Sequence, residues 1–118
     1  MLQNPADTNY FYAAERDLVN VAGTTQTMAG ALALTAHFNL ISTCANAGDG
    51  VALPAATIGS VCVLVNAGVA AAQVWPCNTE NDTIDGGAAD VVDANSLAVG
   101  ATRFYYATSA TNWKTITF

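Results

Sequence analysis

Four carboxylates crowd one short glycine-containing stretch, Glu80, Asp82, Asp85 and Asp90, and carboxylate oxygens on such a loop are the ligands that hard cations such as calcium prefer. Their spacing does not follow a helix–loop–helix calcium motif, and like charges separated by turns are tolerated in water, so a solvated acidic loop is the expectation. Asp82 and Asp85 could act as an acid and base pair on a glycoside only if a sugar cleft surrounded them. Nucleophilic catalysis needs a base beside Ser, Thr or Cys. The one histidine, His37, stands between Ala36 and Phe38, and no Gly-x-Ser-x-Gly elbow occurs. A half-buried imidazole, or one at a subunit contact, is the expectation for it. Cys44, Cys62 and Cys77 lack metal-ligand spacing and are expected as buried free thiols; Cys62 and Cys77 fall on segments read as neighbouring strands. These residues predict no enzyme, metal site or cofactor.

The remaining candidates are aromatic. Tyr10-Phe11-Tyr12 form a run near the N-terminus, where each ring would gain about 1.5–3 kcal/mol on leaving water, so the run is expected to anchor on something. Trp75 and Trp113 read as packing or interface aromatics. Together with Tyr105 and Tyr106 they could also stack sugar rings, although such residues fill cores and subunit contacts too.

The elements that must position these side chains read as short strands. Leu18–Val21, Ala31–Leu34 and Phe38–Thr43 are punctuated by Gly and Thr; Asn46-Ala47-Gly48-Asp49-Gly50 is a turn cluster leading into Val51–Leu53, and Pro54 must end that ladder because it has no N–H. Ser60–Val65 is apolar on both alternation faces and reads as a core strand covered on both sides. Asn66-Ala67-Gly68 then predicts an antiparallel hairpin to Ala71–Trp75, stopped by Pro76. Thr83–Ile84 is a short strand before Asp85-Gly86-Gly87. Ser96–Val99, Thr102–Thr108 and Trp113–Phe118 close the chain, the last two as a hairpin. The Asn-Ala-Gly triplet occurs twice, which reads as shared turn chemistry and not as a solenoid repeat. This pattern predicts an all-β single domain, an antiparallel sandwich or jelly roll, with residues 1–20 as an N-terminal arm and 21–118 as the β-sandwich domain.

Composition bounds the function. The 118 residues are 53% hydrophobic and only 10% charged, against about 25% charged in typical domains. The excess apolar surface is expected to enter contacts between subunits. No segment approaches the roughly 20 apolar residues of a bilayer-spanning helix. With Arg16, Arg103 and Lys114 as the only cations and a net charge of −6, nucleic-acid phosphates would be repelled. Met1–Asp7 shows no basic segment followed by an apolar one, so export through a signal peptide is not expected.

From Gly50 to Phe118 the string Val51-Ala52-Leu53-Pro54-Ala55-Ala56, Gly59, Val61, Val63, Asn66-Ala67-Gly68, Val74-Trp75-Pro76, Thr83-Ile84-Asp85-Gly86, Gly100 and Trp113 resembles a small domain of tailed-bacteriophage structural proteins. Its family occurs in capsid decoration (cement) proteins, head fibres and tail-fibre modules. The resemblance implies a β-rich homotrimer and no catalytic residues. Because the chain has neither heptads nor a collagen-like shaft, decoration is the expected role: a partner of the major capsid protein on the outer surface of the virion, made in the host cytoplasm. A tail-fibre, receptor-binding or carbohydrate-binding module is the alternative.

Overall fold

A computed structural model describes residues 16–116 and contains no helix among them. Nine strands are formed: β1 (Arg16–Val21), β2 (Leu32–Ala33), β3 (Phe38–Thr43), β4 (Gly50–Ala52), β5 (Val61–Asn66), β6 (Gln73–Trp75), β7 (Thr83–Ile84), β8 (Thr102–Ser109) and β9 (Asn112–Ile116). They make a larger sheet in the order β1-β3-β5-β8-β9-β7 and a smaller one in the order β2-β4-β6. Tyr10, Phe11 and Tyr12 lie outside the described residues.

The order of the first six strands exposes how the chain is wound. Odd-numbered strands enter the larger sheet and even-numbered strands the smaller one, so the chain coils back and forth between the two. Successive coils then stack in parallel: Arg16 lies opposite Phe38 and Phe38 opposite Val63, sequence offsets of 22 and 25 residues. In the smaller sheet Val51 lies opposite Val74, an offset of 23. Parallel neighbours need a long crossover, and here the strand in the opposite sheet supplies it.

This winding corrects two expectations. The fold is all-β as predicted, but among the described strands only β5–β8 and β8–β9 pair antiparallel, apart from the isolated bridges Gly23–Gly50 and Ala72–Leu97; the pairings β1–β3, β3–β5, β2–β4, β4–β6 and β7–β9 are parallel. Ser60–Val65 and Ala71–Trp75 do not form a hairpin, because β6 pairs with β4 in the other sheet. The turn between them is a corner. Asn66 Oδ1 accepts the Gly68 N–H at 2.9 Å, while its amide donates to the carbonyls of Ala70 and Leu97, both at 2.9 Å, which carries the chain across to the second layer. Gly68 is required there, since a Cβ would sit 2.5 Å from the Cys44 nitrogen of the preceding coil. The two Asn-Ala-Gly triplets do not occupy matching places in the stacked coils, since Asn66 lies opposite Ile41 and Gly68 against Cys44.

The two sheets share one core. The larger sheet contributes Ile41, Cys62, Leu64, Tyr105, Ala107 and Trp113, the smaller one Val51 and Val74, and the connecting segments Leu34, Leu53 and Leu97. Cys44, Cys62 and Cys77 are buried and free, as the sequence led one to expect. Burial pushes the Cys62 thiol up to about 12, only partly offset by its contact with the Asn39 amide. Such a thiol stays protonated and inert at neutral pH.

Segments read as arm or strand take specific places. Residues 16–20, assigned to the N-terminal arm, belong to β1 and pair with β3. Ser96–Val99 forms only a bridge between Leu97 and Ala72. That bridge has a purpose in the packing: Asp93 N–H donates to the Val74 carbonyl at 2.8 Å and Leu97 N–H to the Ala72 carbonyl at 2.8 Å, covering the open edge of β6. Asp93 is itself fixed by the Tyr105 hydroxyl at 2.6 Å and the Arg103 guanidinium at 3.1 Å. Burial first, and the Asp93 charge second, hold the Tyr105 phenol well above its ordinary range.

Candidate binding face on the larger sheet

Strand alternation sends Ile41, Cys62, Leu64, Tyr105 and Trp113 inward, so their neighbours must point out of the larger sheet. Those neighbours are apolar as well. Phe38, Val63, Phe104 and Ile116 stand opposite one another across β3, β5, β8 and β9, forming one row. On either side run Leu40–Val65 and Val61–Tyr106. Charge enters only at the margins, where Arg16 pairs in register with Phe38 and Lys114 with Tyr106.

At the start of β3 and β5 this face deepens into a groove of about 360 Å³, lined by His37, Phe38, Gly59, Ser60, Val61, Val63 and Phe104. The groove exists because Thr57–Ser60 makes a tight turn, with the Ser60 N–H and hydroxyl both donating to the Thr57 carbonyl, at 2.9 and 2.6 Å. Gly59 sits in that turn at φ 86, a left-handed conformation that glycine adopts without strain. Its N–H donates to the Ala107 carbonyl, which ties the turn to β8. Ile58 projects from the same turn with 71% of its surface exposed, and Phe38 and Tyr106 are each 40% exposed. His37 is half-buried, and its carbonyl accepts the Val63 N–H at 2.7 Å. Its walls are Val and Phe side chains, with His37 among the lining residues.

The acidic loop is solvated in part: Glu80 and Asp85 are exposed, as expected, and Asp82 departs from that reading. Asp82 is not solvated: it is buried, and its carboxylate accepts the Ala56 N–H at 2.9 Å, joining the loop to the chain after Pro54. Asp85 accepts the Thr115 N–H and hydroxyl, both at 2.8 Å, and lies 3.6 Å from Lys114. The hollow beside it is lined by Asp85 and Asp93, without Asp82. No cluster of three or more metal-ligating side chains occurs among the described residues.

The two tryptophans are not brought together. Trp113 is 1% exposed in the core, its indole N–H donating to the Pro54 carbonyl at 3.1 Å. Trp75 is half-buried on the smaller sheet, its ring against Gly50, where a Cβ would come within 3.2 Å of the indole. Tyr105 is fully buried, whereas Tyr106 faces outward, so the adjacent pair cannot form one sugar platform.

Phe38, Val61, Val63 and Phe104 were missed as a group. A signal for them was present in the sequence: β5 and β8 are apolar on both alternation faces, so that when one face packs on the smaller sheet the other is apolar too. Recognising it requires knowing that Phe38 and Phe104 flank Val63, and they are separated from it by 25 and 41 residues. Comparison of the chain with family models, with curated proteins and with solved structures gave no match in any of the three.

Proposed function

We propose that this chain is a virion structural protein, a capsid decoration protein that assembles as a homotrimer and binds between major capsid subunits on the outside of a bacteriophage head. The single observation that carries the reading is the apolar row Phe38–Val63–Phe104–Ile116 on the outer face of the larger sheet, in a chain with only 10% charged residues. A protein with apolar residues on both faces of a sheet gains from association what a solitary copy forgoes, at about 25 cal/mol per Å² covered. A subunit that binds only the assembled lattice stabilises that lattice by mass action. The net charge of −6 suits a position outside the shell, away from packaged DNA.

The test is mixing the purified protein with undecorated heads and measuring occupancy by electron microscopy, alongside its mass by light scattering. Trimers in solution and stoichiometric occupancy are expected; a monomer that leaves heads bare rejects the reading. The exposed aromatics Phe38 and Tyr106 on the same face favour a second reading, a carbohydrate-binding or receptor-binding module of a tail fibre. Binding on a glycan array that Tyr106→Ala abolishes would select it.

A further inference from the structure

We propose that residues 91–96 form a strap that opens while the two sheets stay folded. Its latch is a carboxylate receptor, made by Arg103 and Tyr105 and filled by the chain's own Asp93. This assignment is independent of the decoration reading.

Burial shows how little holds the strap down. Of residues 88–100 only Asp93 and Leu97 are buried, and Val91 is 50% exposed. Residues 91–95 line a hollow of about 170 Å³ together with Ile84, Asp85, Gly87 and Ala88, so this stretch borders open space where a core segment would meet close-packed side chains. Segments with so few buried apolar contacts open at a cost well below that of global unfolding.

The two ends are tied more firmly than the middle. Before the strap, the Asp90 N–H donates to the Asp82 carbonyl at 3.0 Å. After it, Leu97 is fully buried in the core; its N–H donates to the Ala72 carbonyl at 2.8 Å, and its carbonyl accepts the Ala72 N–H at 3.0 Å and the Asn66 amide at 2.9 Å. Between these ties one backbone bond reaches the smaller sheet among the described residues, from the Asp93 N–H to the Val74 carbonyl at 2.8 Å.

The remaining fastening is ionic. The Asp93 carboxylate accepts the Tyr105 hydroxyl at 2.6 Å, an Arg103 N–H at 3.1 Å and the Asn95 N–H at 3.1 Å. Arg103 also donates to the carbonyls of Asn95 and Ser96, at 2.5 and 3.3 Å. Arg103 and Tyr105 are two residues apart on β8 and so share a face of the larger sheet, while the carboxylate they hold belongs to the strap. A guanidinium and a hydroxyl converging on one carboxylate oxygen are what a receptor for a free carboxylate presents. The Arg103 side chain keeps 21% of its surface exposed, so water can take over its hydrogen bonds when the strap leaves. Opening uncovers this pair and the Val74 carbonyl on the edge of β6.

Amide hydrogen exchange of the natural chain tests the opening. The Asp93 amide should be protected, yet exchange about tenfold or more faster than the Val63 and Ala107 amides, with little dependence on urea below the unfolding transition. Equal rates and equal urea dependence, or an unprotected Asp93 amide, would overturn the strap. Arg103→Met should speed the Asp93 amide by about tenfold to a hundredfold and leave Val63 unchanged, because the charge-assisted bonds are lost from the strap alone. A uniform rise, or none, rejects the latch. For the receptor the probe is acetate, which at matched ionic strength should raise the melting temperature of Asp93→Ala, but not that of the natural chain or of the double variant Asp93→Ala with Arg103→Met. The same response in all three, or an Asp93→Ala chain that acetate neither stabilises nor refolds, overturns the receptor.

Discussion

The inner and outer faces of the larger sheet are built from the same strands and are both apolar, yet they are committed to different ends. Inward, Ile41, Cys62, Leu64, Tyr105 and Trp113 meet Val51 and Val74 of the smaller sheet and are excluded from water. Outward, Phe38, Val61, Phe104 and Tyr106 form a groove and a row with a graded exposure. The lesson is that alternation in this sheet does not separate oil from water. It separates the side chains packed between the two sheets from those on the opposite face of the larger sheet.

That contrast can be broken most severely from the inside. Trp113→Ala removes the largest buried side chain and the hydrogen bond that anchors the Pro54 carbonyl, and should cost about 3–5 kcal/mol in urea unfolding. A loss below about 1 kcal/mol would show that the core collapses around the site and that Trp113 does not hold the sheets together.

A second, smaller effect follows from titration of the inner face. The folded chain keeps the Cys62 thiol neutral to about 12 against an ordinary 9.0, and the Tyr105 phenol is held up in the same direction. Above pH 9 the unfolded chain therefore binds fewer protons than the folded one, and stability falls as pH rises toward 12. Each group contributes a slope of up to about 1.4 kcal/mol per pH unit within its window. Urea midpoints between pH 8 and 11 measure this, and Cys62→Ala should flatten the slope; an unchanged slope would mean that Cys62 meets solvent in the folded state.

The smallest effect on stability is expected from the outer face. Val61→Asp places a carboxylate on a half-buried wall of the groove and should change the unfolding free energy by about 1 kcal/mol or less, while reducing self-association seen by sedimentation. If the variant instead unfolds like Trp113→Ala, the outer face is part of the core and the distinction between the two faces fails.

Much of the local structure was legible. Phe38–Thr43 and Thr83–Ile84 form strands with the bounds read from the sequence, and the final hairpin joins β8 to β9. β4 ends at Ala52, ahead of Pro54, and β6 ends at Trp75, ahead of Pro76, because a residue without an N–H cannot extend a ladder. Errors arose where a local signal has two global solutions. Asn66-Ala67-Gly68 would turn a hairpin equally well, but the Asn66 amide bonds to Leu97, 31 residues away, and this contact selects the corner. Asp82 looked like one more solvated carboxylate until the fold brought the Ala56 N–H to it, 26 residues distant.

By itself, the sequence determined which residues extend and where they must stop, because strand propensity, proline and glycine act within a few bonds. It also required that the apolar excess be covered, since that is a matter of composition. Only the tertiary structure decided that the first six strands wind in parallel between two sheets, and hence that Phe38, Val63 and Phe104 become neighbours. Parallel and antiparallel partners call for the same apolar runs, and the choice rests on contacts between residues 19 to 41 positions apart, whose energy appears only when the coils stack.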